Sequence, residues 1–199
     1  METKIKSGHK TTIANLKSAE TNKEYSEFSF LIDYNSKELH SPEFIVTPKT
    51  QIVNRITTNG KIKFCNEDFS KTTGFNKKDI LNINQIVHPT MPKTIFNHVI
   101  KKLDKNEEVI ALVKHIDKKG NQFWLNTLFS PNNSSNLTIA YSTKATATTK
   151  KTIDKISKIY NTVFLLEKHV NPNLAKKYFD GLIEMEYGTY EGFIIDAFE

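Results

Sequence analysis

Apolar residues along this chain recur at two different periods, and the switches between them mark the elements. From Glu43 to Thr57 the run is extended and β-branched, carrying Phe44, Ile45, Val46, Ile52, Val53 and Ile56. Thr58-Asn59-Gly60-Lys61 then predicts a tight hairpin turn, because Asn-Gly tolerates positive φ at both central positions. Lys61 to Cys65 alternates with period two, which puts Ile62 and Phe64 on one face and Cys65 in line with Lys63. Asn66 followed by Glu67 and Asp68 reads as a capped helix start with acids at the positive dipole end, and Gly74 as its left-handed stop. A second short helix is predicted over Asn76 to Ile80, an irregular stretch over Asn82 to His88, and a rigid turn between Pro89 and Pro92. Residues 93–104 carry the clearest helical stripe: Ile95, Phe96, Val99, Ile100 and Leu103 recur at three and four. Three strands follow, Val109 to Ile116, Gln122 to Ser130 and Leu137 to Thr143, with turns at 118–121 and 131–136. Two strands, short helices, one longer helix and three strands predict an α+β fold. It is a five-stranded antiparallel sheet with short helices on one face, extended by helices at both termini.

Beyond Tyr141 the pattern changes. Thr143 to Thr149 is small and polar and reads as a junction. Residues 150–169 predict an amphipathic helix whose stripe is Ile153, Ile156, Tyr160 and Val163, widened by Ile159 and Leu166. Those first four residues are the candidate interaction surface, for pairing with a second copy or a signalling partner. Asn171-Pro172-Asn173 breaks the helix, and residues 174–184 predict another. Phe193, Ile194, Ile195 and Phe198 would be costly to leave bare, so the last stretch packs within the chain or against a neighbour. The organisation is thus an N-terminal extension over 1–42, partly helical or disordered, with an apolar patch at Phe28, Phe30, Leu31 and Ile32. A domain follows over 43–145, then the amphipathic helix over 146–170, then an acidic and aromatic tail over 171–199.

Charge narrows the class. The formal net charge is +6 over 199 residues, with only Arg55 beside the lysines. Residues 51–148 hold fourteen basic and seven acidic groups, whereas after Lys177 there are six acids and no Lys or Arg. A basic centre beside an acidic tail attracts an acidic partner or the tail itself. Thirteen dispersed lysines and one arginine in that centre are poor equipment for base readout, which sets nucleic-acid binding behind the other readings. Cys65 is the single cysteine, so neither an internal disulfide nor a multi-cysteine metal site is available. No apolar run approaches the ~20 residues needed to span a bilayer, and the polar start lacks a signal-peptide core, so a cytoplasmic protein is expected. Catalytic fingerprints are missing: there is no G-x-S-x-G, phosphate loop, dinucleotide motif or H-E-x-x-H, and an enzyme is not expected.

Ile62 to Phe69 followed by Thr72-Thr73-Gly74-Phe75 resembles the opening of PAS domains. Asn84 to Pro92 with Phe96 after it resembles the aerotaxis-receptor type of that family. The second half agrees: Val113-Lys114, then Lys118-Lys119-Gly120-Asn121-Gln122-Phe123-Trp124-Leu125, Pro131, Ala140-Tyr141-Ser142, and later Tyr160 and Glu167. The resemblance spans residues 50–168. It implies a PAS sensor acting in energy or redox taxis or allied signalling, and some members hold FAD in the domain cavity. Carried over by residue, it nominates Asn66, His88 and Trp124 as cofactor contacts.

The departures bear on that cofactor. The family usually has Arg where Val87 stands, Asp where Thr90 stands, Trp where Val109 stands, and Asn-Arg-Arg where His115-Ile116-Asp117 stands. Arginine suits a pyrophosphate and tryptophan a stacked isoalloxazine, and neither is in place. No cofactor is therefore the expectation, with FAD, a smaller ligand, or haem on His88 or His98, as alternatives. Plainer roles compete at each site residue. Asn66 is explained as a helix cap, His88 as a hydrogen-bonding group in the helical layer, and Cys65 as a small hydrophobe. His115 is expected at the surface. Phe123 and Trp124 adjoin on one strand and must face opposite ways, one into the core and the other toward a terminal helix or partner. Without a catalytic or methyl-accepting output, the signal would pass to another signalling protein or receptor, with a homodimer as one form.

Overall fold

The structure is a computed structural model that describes residues 42–76, 78–79, 82–132 and 140–199. The expectations for residues 1–41, for Ile80 at the end of the second short helix, and for 137–139 at the start of the last strand lie outside them.

The strands are β1 (Gln51–Ile56), β2 (Ile62–Cys65), β3 (Val109–Ile116), β4 (Gln122–Pro131) and β5 (Tyr141–Ala147). They form one antiparallel sheet in the order β2-β1-β5-β4-β3, the five-stranded sheet of the PAS fold that the sequence predicts. Alternation along each strand sends Ile52, Asn54 and Ile56 of β1, Phe123, Leu125, Thr127 and Phe129 of β4, and Tyr141, Thr143 and Ala145 of β5 to one inner face. Helix α1 (Glu67–Thr73), a 3₁₀ turn (Ile83–Gln85) and helix α2 (Lys93–Asp104) close over that face. Phe69 and Ile95 are wholly buried and Phe96 nearly so. Each such side chain is worth about 2–3 kcal/mol of transfer free energy.

Two unpaired stretches of the sheet, the β3 edge and the start of β4, are covered by other segments. The β3 edge pairs with the approach to α2: His88 N–H donates to Lys114 O at 2.9 Å and Ile116 N–H to Ile86 O at 2.8 Å. Where β4 outruns β5, residues 42–44 take the vacant side, with Phe44 N–H donating to Gln122 O. Covering an edge in this way removes a template for pairing with other chains.

Four expectations need correction. The hairpin does not put Ile62 and Phe64 on one face. A register shift lies between Arg55 and Ile56, so Ile62 stands opposite Ile56 whereas Phe64 stands opposite Arg55. One extra residue reverses the alternation. Phe64 is 41% exposed on the outer face under the Arg55 guanidinium, 5.7 Å from its ring centre. Cys65 accordingly pairs with Asn54, not in line with Lys63. The last strand lies further along than expected: residues 143–147, read as a junction, are its larger part and form the middle of the sheet. Finally, His115 is not a surface residue but is 7% exposed.

After β5 come α3 (Lys150–His169), α4 (Pro172–Leu182), a π-helical turn (Ile183–Tyr187) and α5 (Tyr190–Phe198). Thr149 caps α3 by accepting from Thr152 N–H. The terminal aromatic stretch is a helix, and Tyr190 and Phe193 pack with Phe179 of α4. Helix α5 returns to α2, where the Tyr190 ring stacks on His98 at 3.9 Å and Glu191 pairs with Lys102 at 3.0 Å. Asp196 meets Lys155 of α3 at 3.6 Å. Two acids of the tail thus meet lysines of α2 and α3. No helix among the described residues is long and apolar enough to cross a membrane.

Candidate functional site

Between the inner face and the helical layer lies a cavity of about 30 Å³. Small side chains at the centre of the sheet create it: Asn54, Thr127, Thr143 and Ala145 sit where larger residues would meet α1 and α2. Rings close it from the other directions, namely Phe69, Phe96, Phe123, Phe129 and Tyr141. A space of this size admits one or two waters, since one needs about 10–15 Å³ on this measure. Sites for drug-sized ligands run to roughly 300–1,000 Å³.

The lining is not purely apolar. His115 donates from Nδ1 to Ile86 O at 3.2 Å, which leaves Nε2 as a lone-pair acceptor. That nitrogen and Asn54 Oδ1 are buried without a hydrogen-bond partner among the described atoms, and both residues line the cavity. Orphaned buried acceptors are costly, so a water or small donor in the cavity is what this lining suits. Burial lowers the His115 pKa to about 4, against the opposing pull of the Ile86 carbonyl. The ring is neutral near pH 7.

The three residues nominated as cofactor contacts stand in three different places. Asn66 is the helix cap: its Oδ1 accepts from Phe69 N–H at 3.2 Å and Val53 N–H at 3.1 Å, and its Nδ2 donates to Gln51 O at 2.6 Å. It ties α1 to β1 and does not line the cavity. His88 is 1% exposed beside the β3 edge. Its Nδ1 accepts from Thr90 N–H at 3.1 Å, and Lys114 Nζ lies 3.5 Å from Thr90 Oγ1. Burial first, then the Lys114 and His115 charges, lowers its pKa to about 3. Trp124 is on the outer face, its ring 6.1 Å from that of Tyr160 on α3, and its Nε1 donates to Glu43 at 3.1 Å. Phe123 takes the inward position, as the alternation requires.

The interaction stripe lies inside the chain. Ile153, Ile156, Tyr160 and Val163 are at most 2% exposed, so a partner reaching them must first displace their intrachain packing.

Sequence reasoning gave no role to the contact that fastens α3 to the domain. Helix α2 begins at Pro92, which has no capping side chain. Glu167 of α3 supplies the cap from far along the chain. Its Oε2 accepts from Lys93 N–H at 2.9 Å, and its Oε1 accepts from Thr94 N–H at 2.7 Å and Thr94 Oγ1 at 2.6 Å. A carboxylate at a helix amino end is favoured by both the free N–H groups and the dipole. The only local hint is the bare Pro92-Lys93-Thr94 start, which lacks a side-chain acceptor of its own.

No family profile matches the chain. Among solved structures it is similar to the PAS domain of a protein from Colwellia psychrerythraea, at 16% identity and a TM-score of 0.45, over 51% of this chain and 88% of that one. It is similar to a light-oxygen-voltage domain studied with a flavin analogue, at 14% identity and a TM-score of 0.45, over 54% and 83%. It is also similar to the blue-light activated histidine kinase EL346 of Erythrobacter litoralis, at 14% identity and a TM-score of 0.41, over 66% of this chain and 46% of the kinase. Likeness at this level carries no weight alone; the PAS fold rests on the sheet order and register.

Proposed function

We propose that this chain is a PAS-type sensory adaptor in which α2 connects the cavity to the C-terminal helices. One observation supports this reading above others. Helix α2 forms a cavity wall through Phe96, while its first turn is held by Glu167 of α3. A change in what the cavity holds moves Phe96, and α2 passes the displacement to the docked helix. The output is a protein contact made by α3 to α5, with another signalling protein, a receptor or a second copy as the partner. The taxis-like segments 84–92 and 118–125 suggest a taxis or allied pathway, in the cytoplasm. Catalysis has no part in the reading.

A ligand-bearing sensor is the second reading, and the unpartnered Asn54 Oδ1 and His115 Nε2 favour it. Flavin enters here because two of the similar structures are concerned with a flavin analogue and with blue light. As packed, the cavity does not fit it. An isoalloxazine would need roughly ten times the present space, and several of the five closing rings would have to swing out. Haem fits no better: His88 does not line the cavity, and His98 is stacked under Tyr190.

Two measurements test the proposal. Hydrogen exchange of the full chain, wild type against the cavity-filling Ala145→Val, should change the protection of α3 amides; no change outside the cavity would reject the coupling. Incubation with FAD or haemin, followed by desalting and a visible spectrum, should leave the protein colourless. Stoichiometric flavin would replace the first reading with the second.

A further inference from the structure

A second concavity lies on the opposite face of the sheet, between it and α3. It is an open groove of about 330 Å³. The domain contributes Thr90, Lys114 and Trp124, and α3 contributes Ser157, Lys158 and Asn161. Hydroxyls, an amide and two ammonium groups thus surround an indole.

Lys114 is the informative residue. It is half-buried on β3, opposite Trp124 in the strand register. Its polar contact is Thr90 Oγ1 at 3.5 Å, and its ammonium sits 5.8 Å from the Trp124 ring centre. Among the described residues, no carboxylate lies in ion-pair contact with Lys114 or Lys158. The acid whose field reaches Lys114 is Glu43. That carboxylate is already engaged, with Trp124 Nε1 at 3.1 Å and Lys150 at 3.3 Å. Burial lowers the Lys114 pKa, as expected of a cation drawn from water without a counter-ion. An unpaired half-buried ammonium beside a cleft is a ready anion contact.

We propose that this groove binds a small organic anion, with the acidic head held by Lys114 and Lys158 and an apolar or planar body along the groove floor, where Trp124 is 5% exposed. Ser157 and Asn161 supply further hydrogen bonds to the head, while Thr90, whose hydroxyl faces His88 Nδ1 at 2.9 Å, steadies the Lys114 ammonium. The volume suits a ligand at the lower end of the small-molecule range. Carboxylate and phosphate monoester share the chemistry, and the probes separate them. Because its walls come from both the sheet and α3, a bound anion bridges the two and tightens the docking of that helix. The site is separate from the inner cavity, so either can fail without the other.

Trp124 is the only tryptophan in the chain, so its fluorescence reads the groove directly. The full-length protein is titrated with benzoate, phenyl phosphate, inorganic phosphate and benzyl alcohol. A saturable change is expected with benzoate or phenyl phosphate, and none with the neutral alcohol. Lys114→Met should weaken binding by about tenfold or more and Lys158→Met by about threefold, the second being exposed and more hydrated. Lys114→Gln is the second variant, and circular dichroism confirms that each is folded. Absence of saturation with every probe up to about 10 mM overturns the proposal. So does an affinity unchanged in the folded Lys114 variants, or inorganic phosphate binding as tightly as phenyl phosphate.

Discussion

Glu167→Ala is the substitution that most tests how the C-terminal helix is joined to the domain. The side chain is 9% exposed and accepts three hydrogen bonds at the start of α2, two from backbone N–H groups and one from a hydroxyl. Hydrogen bonds to a charged group contribute roughly 1.5–3 kcal/mol each when buried, but the three share one carboxylate and do not add in full. Losing a helix cap alone costs about 0.5–2 kcal/mol. Water entering the vacated site recovers part of the loss. The net expectation is about 3 kcal/mol. For a chain of this size each kcal/mol moves the melting temperature by roughly 2–4 °C, so Tm should fall by about 6–12 °C. Glu167→Gln keeps one oxygen toward Thr94 and should cost about 1 kcal/mol. Urea unfolding followed by circular dichroism gives the energy. Trp124 fluorescence, monitored in parallel, reports whether α3 leaves the sheet, because the Tyr160 ring packs against the indole. A loss below about 0.5 kcal/mol for Glu167→Ala, within the range of ordinary surface changes, would mean that the carboxylate does not fasten α3 to the domain.

Other consequences are open to measurement. His88 and His115 have folded-state pKa values lowered to about 3 and about 4, so the unfolded chain binds protons that the folded chain refuses. Their stabilising contribution is complete above pH ~6.5 and is lost as pH falls from there to about 4 for His115 and about 3 for His88. It amounts to roughly 2–4 kcal/mol by pH 5, read as the midpoint of urea unfolding against pH. His115→Gln should remove about half of that pH dependence; an unchanged slope would place the titrating groups elsewhere. Asn66→Ala breaks the cap and both ties to β1, and should cost about 2 kcal/mol without changing affinity for any ligand. A variant of full stability that fails to bind a ligand held by the wild type would restore Asn66 as a contact. Gly74 holds φ 71° at the end of α1, so Gly74→Ala should cost about 1 kcal/mol in the same assay.

What could be read from the sequence divides along physical lines. Helix α2 was legible from end to end because Ile95, Phe96, Val99 and Leu103 form a stripe that only a 3.6-residue period explains. The same holds for α3, where Ile153, Ile156, Tyr160 and Val163 are buried in one line. Strand β5 was misplaced because the middle of a sheet over a cavity needs small residues. Thr143, Ala145 and Ala147 give no hydrophobic alternation and so pass for a loop. Phe64 was put on the wrong face because one bulged residue inverts every parity inference beyond it. The site was harder still. Asn66 has a local signature, and the cap role was visible from its neighbours. His115 depends on the β3 edge being covered by residues 86–88, a pairing that strand periodicity does not encode. Glu167 acts across more than seventy positions, and nothing near it in the chain announces a cap. The anion groove likewise combines β3, β4 and α3, which meet only after folding.

A double-mutant cycle joins the two ends of the proposed connection, with Phe96→Leu on the cavity side of α2 and Glu167→Gln at its capped end. If α2 carries displacement between them, the stability losses should depart from additivity by about 0.5–1 kcal/mol. Losses that add to within about 0.3 kcal/mol would mean that cavity and C-terminal helix are energetically independent, and the sensory reading would be contradicted.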